Sequence, residues 1–162
     1  MRLLYVFFFI FVIPICVLLH EVGHGIGLST SSNAHVHIYL GLKSKSNKEN
    51  FQIGRMHFHL QWSYIGFVSW DKMLSKREKA FALAGGLIMS LILALLCGII
   101  ALVFNGKLQT LFGWTSTFNF IQFLVTIIPI RYPQWMGGYS GLSSDGLQLL
   151  KILKDEEHDI SK

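Results

Sequence analysis

Apolar residues run without a charge from Leu3 to Leu19 and again from Ala80 to Phe104, where Ser90 is the one polar side chain. A third stretch, Leu111 to Ile130, is also free of charge but more polar, with Thr115, Ser116, Thr117, Asn119, Gln122 and Thr126, and Pro129 and Pro133 mark its end. About 20 apolar residues span a bilayer core, so the pattern predicts three transmembrane helices over roughly 3–28, 80–104 and 111–130. The first run is too long for the core of a signal peptide, and no small-residue cleavage site follows it.

Between the first two runs, Ser29 to Lys79, the period changes. "HVHIYLG", "FQIGRMHFHL" and "SYIGFVSW" alternate apolar and polar positions as strands do, and "KSKSNKEN" is a polar turn. Two or three β-strands are expected over about 33–70. After the glycine-rich "MGGYSGLSSDG", the final "DGLQLLKILKDEEHD" places Leu147, Leu150 and Leu153 near helical spacing and reads as a surface helix. The expected fold is an all-α membrane protein: three transmembrane helices, a small β insertion after the first and a C-terminal amphipathic helix, in one domain over 1–162.

Composition agrees with a membrane setting. The chain is 52% hydrophobic and 14% charged, against roughly 25% charged in soluble domains, and its mean hydropathy is +0.48. The net charge of +5 does not indicate nucleic acid, because the basic residues flank apolar segments. Twelve of the fourteen Lys and Arg, all but Arg2 and Lys107, fall on one side of a three-span arrangement. That side, with the β segment and the C-terminus, is expected to be cytoplasmic, and the N-terminus outside, with the lipid bilayer as surroundings. Cys16 and Cys97 lie inside apolar runs and read as packing residues.

The chemistry concentrates where the first run ends, in "LLHEVGHG". His20 and His24 project from one helix face a turn apart, a spacing that can hold one Zn2+ ion, and Glu21 beside them can serve as general base toward water activated by the metal. For this composition about 0.016 matches to H-[DE]-x-x-H arise by chance. Ionisable groups within a span are costly and mark function. A catalytic zinc site needs a third protein ligand, for which His35, His37, His57, His59, Asp71, Glu78, Asp145 and the C-terminal acids are candidates. Asp145 in "SSDG" stands out because Gly146 lets the backbone approach closely, although Asp145 is equally placed as a helix N-cap, with Ser143 and Ser144 competing.

Two further patterns carry chemistry. His35/His37 and His57/His59 alternate so that each pair shares a strand face, as outward polar residues, as the lining of a substrate path, or as a second metal site. Thr115, Asn119, Gln122 and Thr126 form one polar stripe on the third helix, suited to interhelical hydrogen bonding or to a wet cleft in which Asn119 or Gln122 supports substrate or oxyanion. Gly23, Gly25, Gly27, Gly85 and Gly86 permit close packing of the first two long helices.

With HEVGH in a membrane helix, "ALAGGLIMS" in the next and a late "P…SDG", the chain resembles the site-2 protease family of intramembrane zinc metalloproteases, from about Leu3 to Leu150. The resemblance implies a three-helix core, His20, His24 and Asp145 as zinc ligands, and Glu21 as catalytic base. Ala84-Gly85-Gly86 and Ser90 stand where the family often has A-G-P and an asparagine. The strands resemble its membrane-associated β segment, which implies placement of an extended substrate. Thr126 replaces the asparagine often found three residues before the proline, and the interval from Pro129 to Asp145 is longer than usual. The expected activity is a zinc metalloendopeptidase acting on a membrane-embedded or membrane-proximal peptide or protein near the cytoplasmic face, in a minimal, prokaryotic-type core without a regulatory domain. The rival readings are a non-catalytic peptide-binding or protective membrane protein on the same scaffold and, more remotely, a metal transporter.

Overall fold

The long apolar run folds as one rod. In the computed structural model, which describes residues 1–160 and the side chains up to Lys154, α1 (Arg2–Phe7) passes through a π-helical turn (Phe8–Val12) into α2 (Ile13–Ser31). The irregularity has a local cause. Pro14 has no N–H to give the carbonyl of Ile10, and the indole Nε1 of Trp62 donates to that oxygen instead, at 2.9 Å. The loop after the third strand is thereby tied to the middle of the rod.

The alternating segment makes four strands, β1 (Val36–Leu40), β2 (Phe51–Ile53), β3 (Met56–Leu60) and β4 (Gly66–Trp70). They form one sheet in the order β2-β3-β1-β4, with β1 parallel to β3 and antiparallel to β4. Val36, Ile38 and Phe58 turn toward α2 and bury with Leu28, Ala34 and Ala82, while Leu18 and Val22 pack at the margin. Full burial of such side chains is worth about 1.5–3 kcal/mol each, which fixes the sheet on α2. The opposite face carries the histidines.

α3 (Lys76–Val103) starts at a capping box: the Ser75 hydroxyl accepts from the Glu78 N–H, and the Glu78 carboxylate accepts from the Ser75 N–H. α3 packs along α2 on one side and α4 (Lys107–Ile127) on the other. A turn of 3-10 helix at Gln134–Tyr139 and α5 (Asp145–Ile160) follow. Cys16 and Cys97 are buried and unbridged, in keeping with packing roles.

The expected class is corrected. The protein is not all-α: four strands in a mixed sheet make it a mixed α/β fold. Among the described residues two helices are long and apolar enough to cross a membrane, Arg2–Ser31 and Lys76–Val103, not three. α4 falls short because the stripe Thr115, Asn119, Gln122, Thr126 and its neighbours Ser116 and Thr117 dilute its apolar character, and Ser116 and Asn119 turn inward, onto the Ala94 carbonyl and Cys16.

Candidate metal centre

α2 presents three faces to three neighbours. Leu18 and Val22 meet the sheet. His20 and His24 face α3, and Glu21 lies against the start of β4, where a side chain at Gly66 would collide with its carboxyl group. Close approach of α2 and α3 depends on the glycines: a methyl group on Gly23 would overlap the Gly85 carbonyl, and one on Gly86 would overlap the His24 imidazole. The packing role expected of Gly23, Gly85 and Gly86 is therefore what the helices use.

Each imidazole is held from behind. The Nδ1 of His24 lies 2.8 Å from the carbonyl of Ala82. A carbonyl only accepts, so Nδ1 carries the proton and Nε2 of the neutral ring is a bare lone pair. The Nδ1 of His20 lies 2.8 Å from the fully buried hydroxyl of Ser90. Such partners behind the ring are the usual support of a metal-ligating histidine.

Asp145 arrives from α5. Its Oδ2 lies 3.4 Å from His20 Nε2 and 3.4 Å from His24 Nε2, and the two nitrogens are 3.2 Å apart. Two alternatives open in the sequence separate here. Ser144 is the N-cap of α5, its Oγ accepting from the N–H of Leu147 at 3.2 Å and donating to the Ile128 carbonyl at 2.7 Å. Asp145 therefore stands at the first helical position with its carboxylate turned to the histidines, and Gly146 lies so close to the Ile127 carbonyl that a Cβ would not fit. Burial pushes the Asp145 carboxyl up, but His24 and His20 in their cationic form outweigh it and hold the group well below the usual carboxylate range.

Three donor atoms converging in this way fit a metal ion. Ligands bound at about 2.0–2.1 Å in a tetrahedral site lie about 3.3 Å from one another, close to the observed triangle. Without a cation, a carboxylate oxygen and unprotonated imidazole nitrogens would meet at repulsive range. His20, His24 and Asp145 thus form a group able to hold a metal.

The group opens on a cavity of about 850 Å³ lined by Glu21, Gln122, Thr126, Tyr132 and Tyr139 among others. Of the proposed supports, Gln122 lines it and its Oε1 is buried without a partner. Asn119 does not: its amide donates to Cys16 Sγ at 3.2 Å and to the Thr115 carbonyl at 2.8 Å, inside the helix bundle. Thr126 lines the cavity but donates to the Gln122 carbonyl at 2.9 Å.

The remaining ligand candidates are elsewhere. Glu78 is committed to its cap and to Lys72, 3.6 Å away. Asp71 accepts from the His35 N–H at 3.1 Å. The four other histidines lie on the outer face of the sheet, and the side chains of the C-terminal acids from Asp155 onward lie outside the described residues.

Sequence reasoning did not single out Tyr139, whose hydroxyl accepts from the Gly66 N–H at 2.8 Å beside Glu21, or Tyr132, whose ring lies 5.7 Å from it. Both phenols are pushed up by burial and by nearby carboxylates, Glu21 foremost for Tyr139 and Asp145 for Tyr132. Neither tyrosine belongs to a spacing motif. The backbone carbonyl of Ala82 leaves no trace in side-chain pattern, while Ser90 was visible as the lone polar residue of its run.

No family model, no curated protein and no solved structure matches the chain. The functional reading therefore rests on the geometry of the site.

Proposed function

We propose that the protein is a membrane-embedded zinc metalloendopeptidase. The observation that carries this reading is the convergence of His20 Nε2, His24 Nε2 and Asp145 Oδ2 within 3.2–3.4 Å of one another, with Glu21 lining the same cavity. The resemblance of HEVGH and "SDG" to the site-2 protease family points the same way.

His20, His24 and Asp145 would hold one zinc ion, leaving a ligand position open to the cavity. A zinc ion so held supplies Lewis acidity and brings the pKa of water to about 7. Glu21 accepts a proton at its carboxylate from the attacking water and returns it to the nitrogen of the departing amine. Ser90 and the Ala82 carbonyl keep the imidazoles in register. Gln122 Oε1, buried and unpartnered, offers an acceptor for a substrate N–H.

The substrate class follows from the surroundings of the cavity. The rod of α1 and α2 and helix α3 are suited to a bilayer, and the basic residues of the sheet end favour the cytoplasmic side for it, with the N-terminus outside. β4 is an edge strand. The flanking bonds from Gly41 N–H to the Ile65 carbonyl and from Asp71 N–H to the His35 carbonyl set the phase of its ladder with β1. Gly66, Val68 and Trp70 therefore turn their amides to the outer edge, where the Gly66 N–H already donates to the Tyr139 hydroxyl at 2.8 Å. Gly66 adjoins Glu21, so an extended segment of a membrane peptide added to this edge would run past the catalytic group.

The test is Glu21→Gln in purified full-length protein, beside a comparison of membrane peptides in cells carrying either form. Metal content is expected to persist while cleavage disappears, and peptides that accumulate uncut identify the substrate. Full cleavage by the variant would overturn the mechanism. Peptide binding with no cleavage by the native protein would establish the non-catalytic reading instead.

A further inference from the structure

The four histidines that the first site leaves unused are organised. β1 and β3 are parallel with His37 opposite His57 and Tyr39 opposite His59, so His35, His37, His57 and His59 share the face turned away from α2. The His37 and His57 rings stack with centroids 4.8 Å apart, and His37 and His59 lie at 5.3 Å. The loop ahead of β2 folds over this face: Asn47 is buried, its Nδ2 donating to the carbonyls of Leu40 and Leu42, and Glu49 reaches His57.

The protons on this face can be placed. His59 Nδ1 lies 3.1 Å from the Asn47 carbonyl, which only accepts, so that nitrogen donates. The neutral ring then accepts at Nε2 from His37 Nδ1, at 3.1 Å. His37 is left with a bare lone pair at Nε2 and a backing acceptor behind Nδ1, the same arrangement that the Ala82 carbonyl imposes on His24. His57 is poised likewise. Its Nδ1 faces Glu49 Oε2 at 3.0 Å, and its Nε2 faces His35 Nδ1 at 2.9 Å, a contact in which either ring can donate. If His57 donates from Nε2 to His35, its Nδ1 becomes a second lone pair beside the carboxylate.

We propose that His37, His57 and Glu49 form a second metal site, on the outer face of the sheet, for a divalent first-row transition ion. Each of the three offers a ligand atom, and these atoms lie within 4.8 Å of one another. Two imidazoles and one carboxylate suit zinc, copper, nickel or cobalt rather than magnesium or calcium, which take oxygen sets. The ion takes the place of the proton between His57 Nδ1 and Glu49 Oε2; the neutral His57 ring then carries its proton at Nε2, donating to His35 Nδ1, and His35 carries its own at Nε2, so both rings stay neutral. The ion would join β1, β3 and the 42–50 loop. Because β1 packs its other face on α2, with Ile38 against Gly25 next to His24, such a tie would stiffen the platform behind the first site.

The experiment uses tag-free, full-length protein in detergent, titrated with zinc alone and read by calorimetry, bound-metal analysis and thermal melting. The variant His24→Ala, which breaks the first site, is expected to keep binding zinc and to melt higher in its presence. Adding Glu49→Gln or His57→Gln to it should weaken that binding at least tenfold. In the otherwise native chain, Glu49→Gln should remove the second equivalent and spare the first. Glu49 is exposed and makes no core contact, so that variant answers even where His24→Ala does not fold. The proposal is overturned if the native chain binds a single equivalent that Glu49→Gln leaves untouched, or if the His57 and Glu49 variants bind as tightly as their parent. Loss of the first equivalent alone bears on the protease reading and not on this one.

Discussion

Gly86 of α3 lies against the imidazole of His24, in space that a single methyl group would take from the ring. The position of an imidazole of the candidate metal group is thus set by the absence of a side chain on the neighbouring helix. The same ring is pinned from its other nitrogen by the Ala82 carbonyl one turn earlier on α3.

Gly86→Ala should therefore displace His24 while leaving α3 helical. Zinc affinity, measured by competition with a chromophoric chelator, is expected to fall about 10–100-fold, the range seen when the support of a ligand is disturbed. Gly113→Ala, in a helix position with nothing within 4 Å of the added methyl, should leave affinity unchanged. Equal affinity for both variants would show that the α2–α3 contact does not position the ring.

Ser144 joins Asp145, the third member of the candidate metal group, to the bundle. Its Oγ caps α5 and also bonds the Ile130 N–H and the Ile128 carbonyl. Ser144→Ala should lower stability by about 1–2 kcal/mol, read in chemical unfolding, and should weaken zinc binding through Asp145. Ser143→Ala, which removes no side-chain bond of the cap, should do neither. A Ser144 variant with native stability would place the cap elsewhere.

Tyr139 accepts a hydrogen bond from Gly66 and keeps its own proton to give. Burial and the Glu21 carboxylate raise its phenol above the ordinary range, so it remains a donor at neutral pH. If that proton supports the developing oxyanion, Tyr139→Phe should lower kcat about 100-fold with little change in KM. A kcat within twofold of native would exclude the tyrosine from the reaction.

The outer face of the sheet should make stability depend on pH. Burial holds the His37 ring below its ordinary value of 6.5, helped by His57 and His59 and opposed by Glu49 and Asp71. Below 6.5 the unfolded chain takes up a proton that the folded state resists, so the folded state loses stability as pH falls from 6.5 toward the depressed value. Above 6.5 both states are neutral at this site and the term is constant. Urea unfolding of metal-free protein across this window should give a falling midpoint on the acid side. His37→Asn should flatten it; an unchanged slope would assign the dependence to another group.

What the sequence determined was everything carried by spacing along a single element. The HEVGH interval places two imidazoles and a carboxyl on one turn-and-a-half of α2 because the helical period is fixed. The length of two apolar runs makes two long helices, and alternation puts the sheet histidines on one face. What the tertiary structure decided involves groups distant in the chain. That Asp145 is not the cap is decided by Ser144, whose hydroxyl caps α5 and finds the carbonyl of Ile128 across the turn, and the Asp145 carboxylate is left turned to the two histidines. Asn119 and Gln122 share a stripe, yet one faces Cys16 and the other the cavity, because neighbouring helices cover the stripe unequally. The third run fell short as a span by its composition, and of its polar groups Ser116 meets the Ala94 carbonyl of α3 and Asn119 meets Cys16 of α2. A periodicity states which side chains point together; only packing states what they point at.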